Sequence, residues 1–143
     1  MKSWHYCIKL GSIAICSIAL ATEKSLATLP LQVGVYHGGG SRYIQIAQKS
    51  NRICFKGFSP NGVTVASVAA EASNPNTYKI NGFDGLILKQ QDKDTLLFGQ
   101  TNQLTKYITN SGFPKEVDDD LQQCLNSQKP FFQQKSGGRG SRS

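Results

Sequence analysis

Between residues 33 and 108, apolar and polar positions trade places in short runs that turn residues interrupt at close intervals. Residues 33–37 are β-type, and Gly38-Gly39-Gly40-Ser41 breaks the run. In 42–48, Ile44 and Ile46 alternate against Tyr43, Gln45 and Ala47, which is the period of a half-buried strand. Lys49-Ser50-Asn51 leads into 52–59, and Pro60-Asn61-Gly62 is a strong turn signal because Pro presets φ and Asn-Gly tolerates positive φ. The run 63–71 places Val63, Val65, Ser67 and Ala69 on one face. After Asn74-Pro75-Asn76 come 78–81, 85–90 and 95–99, with a last short run from Leu104 to Ile108. Strands this short, joined this tightly, pair with their antiparallel neighbours. The fold expected is mainly β, a small antiparallel sheet or barrel of about seven short strands.

The period changes near the C-terminus. Val117, Leu121, Cys124 and Leu125 stand at i, i+4, i+7 and i+8, one face of a helix. Pro114 suits a first turn, and Glu116 with Asp118-Asp119-Asp120 suits the positive end of the helix dipole. One helix over about 115–127 is expected to close the sheet, with Phe131-Phe132 docking behind it.

The ends have a different character. Lys2 and Lys9 precede an uncharged apolar stretch over 10–21, and Ser25-x-Ala27 offers small residues at −3 and −1 of a cleavage site. Twelve residues are too few to span a bilayer core, which takes about 20. Residues 1–27 therefore read as a secretory signal peptide, 28–134 as a single β-rich domain and 135–143 as a disordered basic Gly/Ser/Arg tail. The 143-residue chain has 16 basic and 9 acidic residues, a net +7. Loss of 1–27 takes three Lys and one Glu with it and leaves +5. Lys135, Arg139 and Arg142 supply three of those charges, so the folded part is only weakly basic. No specific nucleic-acid partner is expected from such a balance, and at most weak electrostatic membrane contact through the tail.

Cleavage would leave two of the four cysteines, Cys54 and Cys124. An even pair in an oxidising compartment reads as one disulfide. The competing reading makes Cys54 a nucleophile with His37 as its base, which needs a free thiol. No metal and no cofactor is expected, since zinc takes about four N/S ligands and the mature chain offers Cys, Cys and one His. The Gly38–Gly40 run lacks the Lys-Ser/Thr ending of a phosphate loop, and Asp92-x-Asp94 and Asp118–Asp120 lack a calcium-loop pattern. Arg42, Tyr43, Lys56 and Phe58 gather aromatic and basic groups near one hairpin, the residue types that serve as ligand contacts.

The runs Gly34-Val35-Tyr36, Arg42-Tyr43-Ile44-Gln45-Ile46-Ala47 and Arg52-Ile53-Cys54-Phe55-Lys56-Gly57-Phe58-Ser59 form one recognisable set. Thr95-Leu96-Leu97-Phe98-Gly99 and Leu121-Gln122-Gln123-Cys124-Leu125-Asn126-Ser127-Gln128 complete it. Together they resemble a group of small secreted cyanobacterial proteins with no assigned activity. The resemblance implies a secreted or periplasmic setting and transfers no catalytic residue. The expected function is a non-enzymatic binding module that engages an envelope protein or wall component. The alternatives are a small extracytoplasmic hydrolase and an accessory subunit of a membrane-associated complex.

Overall fold

Tight turns dictate the architecture. Ser50-Asn51, Pro60-Asn61 and Thr101-Asn102 each reverse the chain within two residues, so successive strands must lie side by side and antiparallel. The computed structural model describes residues 7–10, 13–16, 30–74, 76–112 and 116–137. Strands β1 (Cys7–Leu10) and β2 (Ile13–Cys16) pair with each other as a two-stranded hairpin. The rest of the segment expected as a signal peptide lies outside the described residues.

Eight strands follow: β3 (Gly34–His37), β4 (Tyr43–Lys49), β5 (Arg52–Ser59), β6 (Gly62–Ala70), β7 (Thr77–Ile80), β8 (Leu86–Gln90), β9 (Thr95–Gln100) and β10 (Gln103–Thr109). Each pairs antiparallel with the next, and β10 returns to β3 through Ile108 opposite His37 and Thr109 opposite Tyr36. The sheet is thus a closed up-and-down barrel, and closure removes open edges. The helix α1 (Asp119–Asn126) and a last strand, β11 (Phe132–Ser136), complete the described chain. Strand β6 divides its pairing: Val68–Ala70 hydrogen-bonds to β7, whereas Gly62–Ala66 pairs with β11. The short β7 leaves half of β6 without a partner, and β11 takes that place.

The period-two pattern sorts side chains between two cores. Tyr36, Ile44, Ile46, Phe55, Ala66, Val68, Tyr78, Ile80, Leu88, Leu96 and Tyr107 fill the barrel. The opposite phase of β4, β5 and β6 carries Ala47, Cys54 and Val65, which α1 covers with Leu121, Cys124 and Leu125. Two rows are therefore apolar for different reasons. One faces the lumen, and the other faces the helix.

Helix α1 is shorter than its hydrophobic spacing suggests. The Asp118 carboxylate accepts a hydrogen bond from the Leu121 N–H at 3.1 Å and so fixes the first turn at Asp119. Val117 precedes this cap and is 42% exposed, so it does not share the buried face. Pro114 lies outside the described residues. No basic residue occupies the last turn, and Arg52 of β5 serves instead, its Nε donating to the Cys124 carbonyl at 2.6 Å. The last strand reaches Ser136, two residues into the segment expected to be a tail, because Lys135 and Ser136 pair with Val63 and Gly62.

Charges stitch these layers together. Lys56 points away from the lumen, is 4% exposed and binds the Asp118 carboxylate, with Asp120 at 3.6 Å. Lys135 of β11 reaches Asp120 at 2.6 Å. The Lys135 hydrogen bond, aided by the charges of Lys135 and Lys56, holds the Asp120 carboxyl below its ordinary range. A depressed folded-state pKa gives stability that is present above the unfolded value, near 4, and is lost as pH falls through the folded one. Melting temperature should therefore fall below about pH 4, and Asp120→Asn should flatten that acid limb while lowering the neutral plateau. An acid limb of unchanged slope in Asp120→Asn would show that other carboxylates carry it.

Candidate functional site at the barrel mouth

The barrel's two ends are finished differently. At the end formed by the start of β7, the end of β8 and the start of β9, the segment 30–33 lies across the opening. The Leu31 N–H donates to the Tyr78 hydroxyl at 3.0 Å, and the Gln32 N–H donates to Gln90 Oε1 at 3.1 Å. The Tyr36 hydroxyl donates to the Gln32 carbonyl at 2.8 Å. Gln90, 1% exposed, spends its amide on the Asp92 and Thr95 carbonyls, and Leu31 is itself buried. That end is plugged, and hydrogen bonds satisfy the buried Gln90 amide and the hydroxyls of Tyr36 and Tyr78.

The other end opens into a cavity of about 320 Å³. Ile44 and Phe55 form its floor, and both are buried. Its walls include Phe98 from β9, Tyr107 from β10, Thr64 from β6 and Phe83 from the β7–β8 turn. The rings interlock: Phe55 stacks on Phe98 at 5.5 Å, and Phe98 meets Tyr107 edge-on at 6.1 Å. Phe83 is held from outside by Phe132 of β11, edge-on at 5.2 Å. Two glycines shape the opening. A Cβ on Gly57 would stand 2.7 Å from the Phe55 ring, and one on Gly38 would stand 2.3 Å from the Tyr107 ring. Gly57 thus lets Phe55 lie along the wall, and Gly38 lets the 38–41 loop rest on Tyr107. Burial raises the Tyr107 hydroxyl pKa, while the nearby Arg42 charge pulls it back.

The four residues expected as ligand contacts separate here. Arg42, Tyr43 and Phe58 all line the mouth cavity. Tyr43 and Phe58 are register partners on β4 and β5, and His37 stacks on Tyr43 at 4.8 Å. Lys56 is not at the mouth. It lies behind the rim on the outer face, 5.0 Å from the Phe58 ring centroid, with its charge spent on Asp118 and Asp120. Arg42 is the one residue of formal charge among the described residues lining the cavity.

Cys54 and Cys124 meet at bonding distance, Sγ–Sγ 2.06 Å, both fully buried beneath α1. That placement removes Cys54 as a nucleophile. His37 instead sits beside the 38–41 loop, its Nε2 3.0 Å from the Gly40 carbonyl. Several acidic residues have structural roles: Asp92 Oδ1 accepts from the Asp94 N–H at 2.9 Å, Glu71 pairs with Lys79 at 3.2 Å, and Asp118 caps α1. Among the described residues, no group of three His, Cys, Asp or Glu is placed to hold a metal ion, and no helix is long and apolar enough to cross a membrane.

A wider cleft, about 1060 Å³, runs along the barrel's side beside the β4–β5 turn and the segment after α1. Its cations already have partners: Lys49 binds Asn126 at 2.7 Å, Arg52 binds main-chain carbonyls, and Lys79 binds Glu71. Size alone favours this cleft. The mouth is the better site, because binding pockets combine an apolar floor with few, free polar groups. No protein-family model, curated protein or solved structure matches the chain, so the site's meaning rests on its geometry.

Phe83, Phe98, Tyr107 and Thr64 were not among the residues the sequence singled out. Phe98 shares its phase with Leu96, and Gly57 shares its phase with Phe55. Such a gap of side-chain volume beside aromatic residues is the signal that could have marked an unfilled lumen end.

Proposed function

We propose that this protein is a secreted or periplasmic, non-enzymatic binding module that receives an apolar group of an envelope component in its barrel mouth. The observation that carries the reading is the cavity of about 320 Å³, floored by Ile44 and Phe55 and walled by the rings of Phe83, Phe98 and Tyr107. That volume is at the lower end of the usual range for small-molecule sites, about 300–1,000 Å³. The closed barrel holds the walls on rigid strands, so the site is formed before the ligand arrives and loses little entropy on binding. Lys2 and Lys9, the apolar stretch over 10–21 and Ser25-x-Ala27 support export, as does a cysteine pair suited to an oxidising compartment. A hydrolase is disfavoured because no carboxylate is among the described residues lining the mouth.

The neutral fluorophore N-phenyl-1-naphthylamine tests the binding role. It should bind saturably, one molecule per chain. Thr64→Trp, which puts an indole into the mouth, should abolish binding and shift the melting temperature by only a few degrees. Binding undiminished in that variant would move the site elsewhere. Export is checked on the native protein, whose first residue should be Thr28.

A further inference from the structure

Resting on that reading, we infer that the mouth selects small amphiphilic anions: an aromatic or short apolar body in the lumen, and a carboxylate, sulfonate or phosphate on Arg42 at the rim. Three observations converge. Among the described residues, the lining is apolar or hydroxylic except at Arg42. Among the described residues no ion pair involves Arg42, and the nearby Asp118 and Asp120 are taken up by Lys56, Asp120 also by Lys135. The Arg42 main chain is fixed at both its polar groups, the carbonyl accepting from the Gly38 N–H at 3.0 Å and the N–H donating to the Gly39 carbonyl at 3.3 Å.

Guanidinium is the side chain best suited to a planar oxyanion, since its fork can donate two parallel hydrogen bonds. Arg42 itself is exposed, so its attraction for an anion is screened by salt. The Thr64 and Thr105 hydroxyls at the same opening can take further polar substituents of the ligand. Two acyl chains would not fit in about 320 Å³, so the ligand is a ring system or a single short chain, not a diacyl lipid. Arg42 would supply selectivity for the anion, and the rings would supply most of the buried area.

The test compares two probes with one aromatic framework: 1-anilinonaphthalene-8-sulfonate, an anion, and neutral N-phenyl-1-naphthylamine. Fluorescence titration of the folded protein should show both binding at one site, the anion more tightly. Arg42→Gln should weaken the anion about tenfold, roughly one charge-assisted contact, and leave the neutral probe within about twofold. Arg42→Lys should recover part of the loss. Salt should weaken only the anion, and only when residue 42 is cationic. Arg42 is exposed, so these variants should melt with the parent. Equal binding of the anion to the parent and Arg42→Gln would overturn the anion selectivity while leaving the mouth as an apolar site. Binding of neither probe by the parent would overturn both.

Discussion

Replacing Cys124 with serine lowers the melting temperature by roughly 15–30 °C, the largest effect expected of any single substitution in this chain. The two cysteines are 70 residues apart, and the cross-link ties β5 to α1. Closing a loop that long removes roughly 4 kcal/mol of unfolded-state entropy in the chain-entropy account. Against a typical total of about 5–15 kcal/mol the loss is severe. Cys54→Ser should match it, and the double variant should be no worse than either single one, because both remove the same link. Peptide mapping without reductant should recover 54 and 124 on one linked fragment. Free, alkylatable thiols at both positions in the native protein would remove the staple.

Asp118→Ala is expected to cost about 2–3 kcal/mol, for two separable reasons. The carboxylate caps α1 through the Leu121 N–H, and caps are worth about 1 kcal/mol. It is also the nearer partner of Lys56, whose side chain is only 5% exposed, so its loss leaves a buried ammonium held by Asp120 alone at 3.6 Å. Asp118 is itself 47% exposed, which keeps the second contribution below that of a fully buried pair. Asp118→Asn should recover the cap and not the charge, and so fall between. Lys56→Met should be nearly neutral, since an apolar replacement removes the desolvation cost along with the attraction. Chemical denaturation of the three variants separates the contributions. A costly Lys56→Met beside a silent Asp118→Asn would reverse the assignment.

The barrel was legible where its rules are local. Alternation in 42–48 and 63–71, and turns such as Pro60-Asn61-Gly62, placed the strands within a residue or two. What alternation does not say is which side of a strand is the lumen. Val63, Val65, Ser67 and Ala69 share one face, yet Val63 and Val65 of that face pack in the cluster that α1 covers, whereas Ala66 and Val68 point into the barrel. Both faces of β6 are covered, so the pattern there carries no polarity. Strand β11 was missed because Gln133, Gln134 and Lys135 have no apolar partner rhythm; their order comes from the main-chain edge that β7 leaves vacant. The helix began late because a capping carboxylate outweighed the apolar spacing of Val117.

The candidate site was half legible for a related reason. Arg42, Tyr43 and Phe58 stand close in sequence on one hairpin, and their residue types marked them. Lys56 shares those types and belongs elsewhere, since the two acids that take up its charge come from a helix 62 residues or more away in the chain. Phe83, Phe98 and Tyr107 arrive from three separate elements, and only closure of the barrel brings them to one opening.

Amide chemical-shift mapping of the folded protein, titrated with N-phenyl-1-naphthylamine, tests the binding mouth most directly. Shifts should concentrate at Gly57, Phe98, Gly99 and Thr105 around the opening, with Leu31 and Gln32 at the plugged end unmoved. Shifts centred instead on the side cleft around Asn51, Asn81 and Gln128 would contradict the assignment of the mouth as the binding site.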